Sequence, residues 1–337
     1  MGNNVKLGPE CDVAISSRVR LARNIEGIPF PSRINTDGRR AVVTKVADAL
    51  RGQPEVKSVG FDGLSGLEAH SYMERRLVSP DFLSAGEGKE LFADGDRILY
   101  IMVNEEDHLR IQSLSPGLSL EEAYETAAWA DELIGSGLTY AFDEKLGYLT
   151  HCLTNLGTGL RSSAMLHLPA ASRAGYIGRI AGDLAKVGLT MRGMYGEASE
   201  AGGCLYQISN QVTLGVSESQ TIEKLKICLD RIISIERSAR DDLIKNDRNR
   251  VADAIRRAYG ILSNACLMGT SEFLRLYSDL RLGVTYGMVK ELSYPILDRL
   301  LVETMPASLL ALTGAHESSE IDAIRAKYIK SQIAEVR

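Results

Sequence analysis

RILYIMVNEEDHLRIQSL, residues 97–114, carries two strand patterns on either side of four polar residues. Arg97–Val103 is a largely apolar run that reads as a buried strand. His108–Leu114 alternates apolar and polar residues with the period of two that a half-buried strand requires. Asn104–Asp107 therefore falls at a strand-to-strand junction, a position where sites are often built at the edge of a sheet.

Outward from this pair, Arg39–Arg51 reads as an amphipathic helix. Ser119 and Glu122 have the spacing of a capping box and open a helix to about Ile134, ended by Gly135 and Gly137. Ala164–Leu168, Leu189–Met191 and Leu205–Leu214 read as strands, Ser172–Val187 as a helix, and Gly193–Gly203 as a glycine-bearing loop. The character changes near Ser217. From there, long helical patterns dominate: Thr221–Asn246, Asp247–Leu267, Ser271–Leu280 and Ile321–Val336. The expected fold is α+β, an antiparallel sheet flanked by helices in residues 1–230, followed by an all-α domain in residues 231–337. The long amphipathic helices call for a partner surface, and a homodimer is the commonest solution.

The 337 residues set a prior of about two domains. A composition 45% hydrophobic and 25% charged, with net charge −5, is that of a globular protein and not of a general nucleic-acid binder. No apolar run approaches membrane-spanning length. MGNNVKLGPE, residues 1–10, lacks the apolar centre of a secretory signal. Cys11, Cys152, Cys204, Cys228 and Cys266 are odd in number and none has CxxC spacing, so neither a disulfide framework nor a metal site is expected, and a reducing cytoplasm fits.

Against that acidic background, several segments concentrate arginine. SSRVR (16–20) puts Arg18 and Arg20 on one face of a strand, the geometry for gripping one anion with two planar forks. Arg110 ends NEEDHLR (104–110), Arg161 ends HCLTNLGTGLR (151–161), and Arg192 opens RGMYGE (192–197). Each alone is more often a surface ion pair; together they suit a polyphosphate. Glu105, Glu106, Asp107 and Glu197 would repel such a ligand, and make sense if a cationic second substrate must be held beside it. Cys152 reads either as a small buried hydrophobe or as a thiolate stabilised near Arg161.

These segments, with ISNQVTLG (208–215), occur in the order of the family patterns S-[ST]-R-x-R, N-E-E-D-H-L-R, C-P-T-N-L-G-T-x-x-R and R-G-x-x-G-E. The chain thus resembles the ATP:guanidino phosphotransferases, the phosphagen kinase family, and most closely its bacterial protein-arginine kinase branch. In the metabolic enzymes a helical domain precedes the first motif. Here that motif starts at Ser16 and a helical region follows the catalytic part instead, which would leave the site open to a protein side chain.

The resemblance implies ATP and Mg²⁺ as cofactors, Arg18, Arg20, Arg110, Arg161 and Arg192 on the nucleotide phosphates, Glu106 and Glu197 on the guanidinium, and Cys152 beside it. It implies protein substrates with exposed arginine, marked for proteolysis or belonging to a stress response. It also implies a zinc-binding activator, a heat-shock repressor and a Clp protease as partners, with no direct role for nucleic acid or membrane. Three departures stand out. Leu153 replaces the proline of the cysteine motif. Arg76 stands where the family has a histidine near the adenine. IDAIRA (321–326) replaces an R-D-x-x-R-A phosphoarginine-reading motif, keeping Asp322 and Arg325 as regulatory candidates but not the first arginine. A small-molecule guanidino kinase and a catalytically weak scaffold are the rival readings.

Overall fold

In the computed structural model, which describes residues 7–194, 202–314 and 320–335, the segment 97–114 forms the expected antiparallel pair. Leu99 lies opposite Ser113 and Val103 opposite Leu109. The strands are β1 (Ala14–Arg23), β2 (Lys57–Ser58), β3 (Glu90–Asp94), β4 (Leu99–Val103), β5 (Leu109–Pro116), β6 (Phe142–Asp143), β7 (Gly147–Tyr148), β8 (Leu160–His167), β9 (Leu189–Gly193) and β10 (Leu205–Asn210). The helices are α1 (Thr36–Ala49), α2 (Gly66–Glu74), α3 (Pro80–Ser84), α4 (Leu120–Gly137), α5 (Pro169–Arg173), α6 (Ile177–Lys186), α7 (Glu218–Asn264), α8 (Thr270–Thr285), α9 (Tyr294–Glu303), α10 (Pro306–Thr313) and α11 (Ile321–Ala334). Eight strands make one antiparallel sheet in the order β2-β3-β4-β5-β1-β8-β10-β9.

Alternation sorts the two faces of that sheet. Val19, Leu21, Leu99, Ile101, Leu109, Ile111, Leu160 and Leu166 point into the main core, together with Val42 and Val46 of α1, Ala123 and Ala127 of α4 and Leu225 and Leu229 of α7. On the other face, Tyr100 and Met102 pack with Phe61, Leu77, Phe82 and Leu91 beneath the α2–α3 region. Further along that same face, Arg18, Arg20, Arg110, Arg161 and Gln207 line an open cleft. A slip of one residue in β1 would drive the two arginines into the core, so burial of one face fixes the register that builds the other.

Two local expectations are corrected. Ser119 stands at the N-cap of α4, but its side chain makes no capping bond. Its hydroxyl donates to the Pro116 carbonyl at 3.1 Å, and its own N–H donates to Ser17 Oγ at 2.9 Å. Capping boxes form instead at Ser65 with Glu68 and at Ser217 with Gln220, starting α2 and α7. The helix expected over Ser172–Val187 is two helices, α5 and α6, because Gly175 turns the chain through a left-handed conformation (φ 73°) between them.

The helical region has a core of its own. Ile255 and Leu262 of α7 pack with Phe273, Tyr277 and Leu280 of α8, Leu297 and Leu300 of α9, and Ile329 of α11. α7 serves both cores and bends at Asp247 (φ −141°, ψ 37°). The first strand is pinned at its start by this region: Arg237 pairs with Glu10 and Asp12, and Arg281 donates to the Cys11 carbonyl at 2.7 Å. No helix among the described residues is long and apolar enough to cross a membrane.

His167, at the end of β8, is fully buried, with Nε2 2.8 Å from Ser278 Oγ. Burial, reinforced by the positive charges of Arg281, Arg240 and Arg173, holds the imidazole well below its ordinary 6.5. As pH falls through that ordinary value, the unfolded chain takes up a proton that the folded chain refuses, so acid removes stability. His167→Gln is expected to flatten the dependence, the difference from wild type approaching about 1.4 kcal/mol per pH unit. Urea midpoints at about pH 7.5 and about pH 5.5 measure it, and equal slopes in the two proteins would refute it.

Candidate active site

The turn between β4 and β5 gives each side chain a separate task. Asn104 adopts a left-handed conformation (φ 62°), which asparagine tolerates, and its amide donates to the carbonyls of Gly88 at 2.7 Å and Arg39 at 2.8 Å. Glu105 turns inward, where it pairs with Arg110 and accepts from the Ser79 hydroxyl. Burial pushes its pKa up, against the pull of Arg110 and Ser79. Asp107 is buried and accepts from Asn24 Nδ2 and from the His151 backbone N–H, both at 2.7 Å. Glu106 is left at the cleft wall, 3.9 Å from Arg110 Nη2 and 3.6 Å from His151 Nδ1.

Strand register assembles the arginines. Arg20 lies opposite Arg161 on β8 and opposite Gln112 on β5; Arg18 lies opposite Ser163 and Leu114. Arg192 on β9 faces Gln207 of β10. The cleft they enclose has a volume of about 770 Å³, and six arginines line it (Arg18, Arg20, Arg76, Arg110, Arg161 and Arg192) against the carboxylates of Glu74, Asp81 and Glu106. Burial, then the neighbouring charges of Arg76, Arg110 and Arg161, pushes Arg18 down to about 9. Burial and crowding by Arg18, Arg110 and Arg161 drive Arg20 well below its ordinary value, and Arg161 is lowered by burial and by Arg192 and Arg110. A guanidinium does not give up its proton in a protein, so this pressure is a repulsion that a polyanion in the cleft would relieve. The Arg161 Nε is buried and finds no hydrogen-bond partner among the described residues.

The loop of Cys152 is held by its neighbours. Thr213 Oγ1 donates to the carbonyls of Leu156 at 2.7 Å and Thr154 at 3.1 Å. Gly157 (φ 112°) lies so close to this segment that a Cβ there would sit 2.2 Å from the Thr213 carbonyl oxygen. Thr154, Asn155 and Gly159 line the cleft. Cys152 is half-buried with its sulfur 3.0 Å from Thr154 Oγ1, while Leu153 is 80% exposed. Because Asp107 binds the His151 N–H, the acidic turn and the cysteine loop share one anchor.

The structure thus brings Arg18, Arg20, Arg110, Arg161, Arg192 and Glu106 to one cleft, with Cys152 on a loop that borders it. Glu197 lies outside the described residues. Asp322 and Arg325 sit on α11, paired with each other at 2.6 Å; Arg325 is 1% exposed and donates to the carbonyls of Met268 at 2.6 Å and Thr304 at 2.8 Å. Sequence reasoning named Asp107 only as one acid of the triplet, and it missed Asn24 and Gln112. Their type carries no chemical signal, and only the pairing of distant strands reveals what they hold.

A cleft lined by six arginines and three carboxylates can accept a polyphosphate and, at Glu106, present an acceptor to a cation beside it. Comparisons with known proteins agree with that chemistry. A family model described as ATP:guanido phosphotransferase, C-terminal catalytic domain, matches residues 39–239, and one described as Protein-arginine kinase McsB C-terminal domain matches residues 248–337. The chain is 44% identical to a protein-arginine kinase of Halothermothrix orenii over 97% of this chain and 94% of that one. It is 43% identical to one of Caldanaerobacter subterraneus subsp. tengcongensis over 96% and 97%. Among solved structures, lombricine kinase superposes with a TM-score of 0.60 at 23% identity, covering 69% of this chain and 68% of that one. The duplicated taurocyamine kinase of Schistosoma mansoni with bound transition-state-analogue components gives 0.61 at 23%, covering 79% and 38%. At that identity, these two share the fold alone.

Proposed function

The chain belongs to the ATP:guanido phosphotransferase family, and from that premise we infer that it is a protein-arginine kinase, transferring the γ-phosphate of ATP to arginine side chains of other proteins. The observation that carries this reading is Glu106, a carboxylate facing a cleft whose other charged groups are mostly arginines. The near full-length similarity to protein-arginine kinases favours a protein arginine over a free one.

In this reading a terminal nitrogen of the target guanidinium attacks Pγ. The N–P bond forms, the bond from Pγ to the bridging oxygen of ADP breaks, and ADP leaves with the electron pair. A guanidinium with a pKa of roughly 12.5–13.8 is a poor nucleophile, so its proton must move to a carboxylate as the new bond forms. Glu106 takes that part, with Glu197 as the second carboxylate and Cys152 beside them. Arg18, Arg20, Arg110, Arg161 and Arg192 position the phosphates and neutralise charge on the transferring oxygens. Among the described residues, no cluster of three or more His, Cys, Asp or Glu is placed to hold a metal. A magnesium ion would therefore be held chiefly by the nucleotide's phosphates, where it would add positive charge.

Residues 1–230 form the catalytic part of this scheme and residues 231–337 the helical part, joined through α7. The helical part would carry homodimerisation and regulation. The resemblance extends to a cytoplasmic location and to a zinc-binding activator, a heat-shock repressor and a Clp protease. At α11, Ile321 supplies neither charge nor donor, and Arg325 is engaged with backbone carbonyls. Free phosphoarginine is therefore expected to activate the kinase weakly or not at all. Titrating it into the assay checks this, and sigmoidal activation at low effector would overturn it.

Mass spectrometry for phosphoarginine under non-acidic conditions, after incubation with ATP and a basic protein, tests the main reading. Phosphorylation of free arginine alone would favour a small-molecule kinase. No turnover of ATP with any guanidino substrate would favour a scaffold.

A further inference from the structure

Glu74 ends α2 at the place where the cleft meets the helical region. It lines the cleft beside Met73 and Arg76. Its carboxylate, however, is engaged elsewhere. Oε1 accepts from the Ala307 N–H at 3.0 Å, and Oε2 accepts from the Ser308 N–H at 2.7 Å and the Ser308 hydroxyl at 2.9 Å. These donors form the first turn of α10, whose N-cap, Met305, offers no side-chain cap. A carboxylate more than two hundred residues away in the chain thus satisfies the helix start and complements its dipole.

The turn just beyond Glu74 ties this contact to the cleft. Arg76 is held in a left-handed conformation (φ 61°), which a residue with a Cβ adopts only when its surroundings impose it. Its carbonyl and that of Leu77 both accept from Gln112 Nε2, at 2.8 and 3.1 Å. Gln112 stands opposite Arg20 on the cleft floor, and Arg76 is close enough for its charge to act on Arg18. The turn is therefore held at one end by the sheet and at the other by α10.

We infer that Glu74 is a positioning residue: its bonds to α10 fix the end of α2 and so the turn that sets Arg76 in the cleft, making nucleotide affinity depend on the docking of the helical region. A direct role on phosphate is disfavoured, because a carboxylate repels it and both oxygens already have donors. The inference rests on the cleft being the nucleotide site.

Calorimetric ADP affinity of the full chain tests it in a double-mutant cycle. Glu74→Gln keeps one acceptor and loses the charge; it is expected to weaken ADP binding by about 5- to 10-fold. Ser308→Ala lies outside the cleft lining, yet is expected to weaken ADP binding by about 2- to 3-fold. The double variant should bind no more weakly than Glu74→Gln alone. In steady state, KM for ATP should rise while kcat at saturation stays within about twofold. Wild-type ADP affinity in Ser308→Ala, or effects that multiply in the double variant, would overturn the inference. So would normal affinity in Glu74→Gln. Should Glu74→Gln not fold, Glu74→Asp and Ser308→Ala give the same contrast. A wild type that bound no ADP would instead sink the reading of the cleft itself, and this inference with it.

Discussion

Glu106→Gln should bind ADP and ATP almost as the wild type does while transferring phosphate on the order of 10²-fold or more slowly. Its carboxylate is the one member of the acidic turn left at the cleft wall; Glu105 and Asp107 are buried in fixed bonds. Glutamine keeps the size and one acceptor but cannot take a proton from a guanidinium. Because a carboxylate repels phosphate, removing the charge of Glu106 beside Arg110 should leave nucleotide affinity level or slightly raised. Rapid-quench phosphoryl transfer and calorimetric titration separate the two quantities. Wild-type turnover in this variant would refute the assignment. Glu105→Gln makes a useful contrast, because losing the inward partner of Arg110 should weaken nucleotide binding and stability together.

Arg20→Met is expected to do the reverse on two axes, binding ATP far more weakly while the ligand-free protein becomes more stable. Arg20 is crowded by Arg18, Arg110 and Arg161, with Glu105 as the compensating charge acting on it. Methionine keeps much of the aliphatic stem and removes the repulsion. Losing one charge-assisted contact to phosphate should weaken nucleotide binding by about 10- to 100-fold, or roughly 1.5–3 kcal/mol. Arg161→Ala should share the affinity loss. Thermal melts without and with ADP read both effects, and a destabilised ligand-free Arg20→Met would show that the residue is structural. Sites that hold repelling charges for a ligand commonly trade stability for function in this way.

Much of this was legible in the residues. The hairpin in 97–114 was legible because β4 is buried on both faces and reads as an apolar run, while β5 buries one face and alternates. The motif arginines could be picked out, and Arg18-x-Arg20 placed on one face, before any pairing was known. The insertion of β1 between β5 and β8 was not legible, since nothing local specifies a partner so distant. Nor was the division of labour between Glu105 and Glu106. Adjacent acids in a turn look alike until the left-handed Asn104 decides which one points inward. Ser119 misled for a related reason: its capping spacing was correct, but Ser17 on a neighbouring strand took its N–H. The link from Glu74 to α10 left no trace, because its partners are two backbone N–H groups and one hydroxyl.

The way β1 is fastened also sets an order of events during synthesis. During synthesis this strand, with Arg18 and Arg20, precedes everything that fastens it. Both of its neighbours arrive later, β5 within about a hundred residues and β8 only after residue 160. The cations that pin its start, Arg237 and Arg281, come later still. Contacts this distant in sequence form slowly. The nascent chain therefore carries β1, with two arginines of the cleft, without the partners that fix it until β5, β8, α7 and α8 have followed, and the floor of the cleft is set only then.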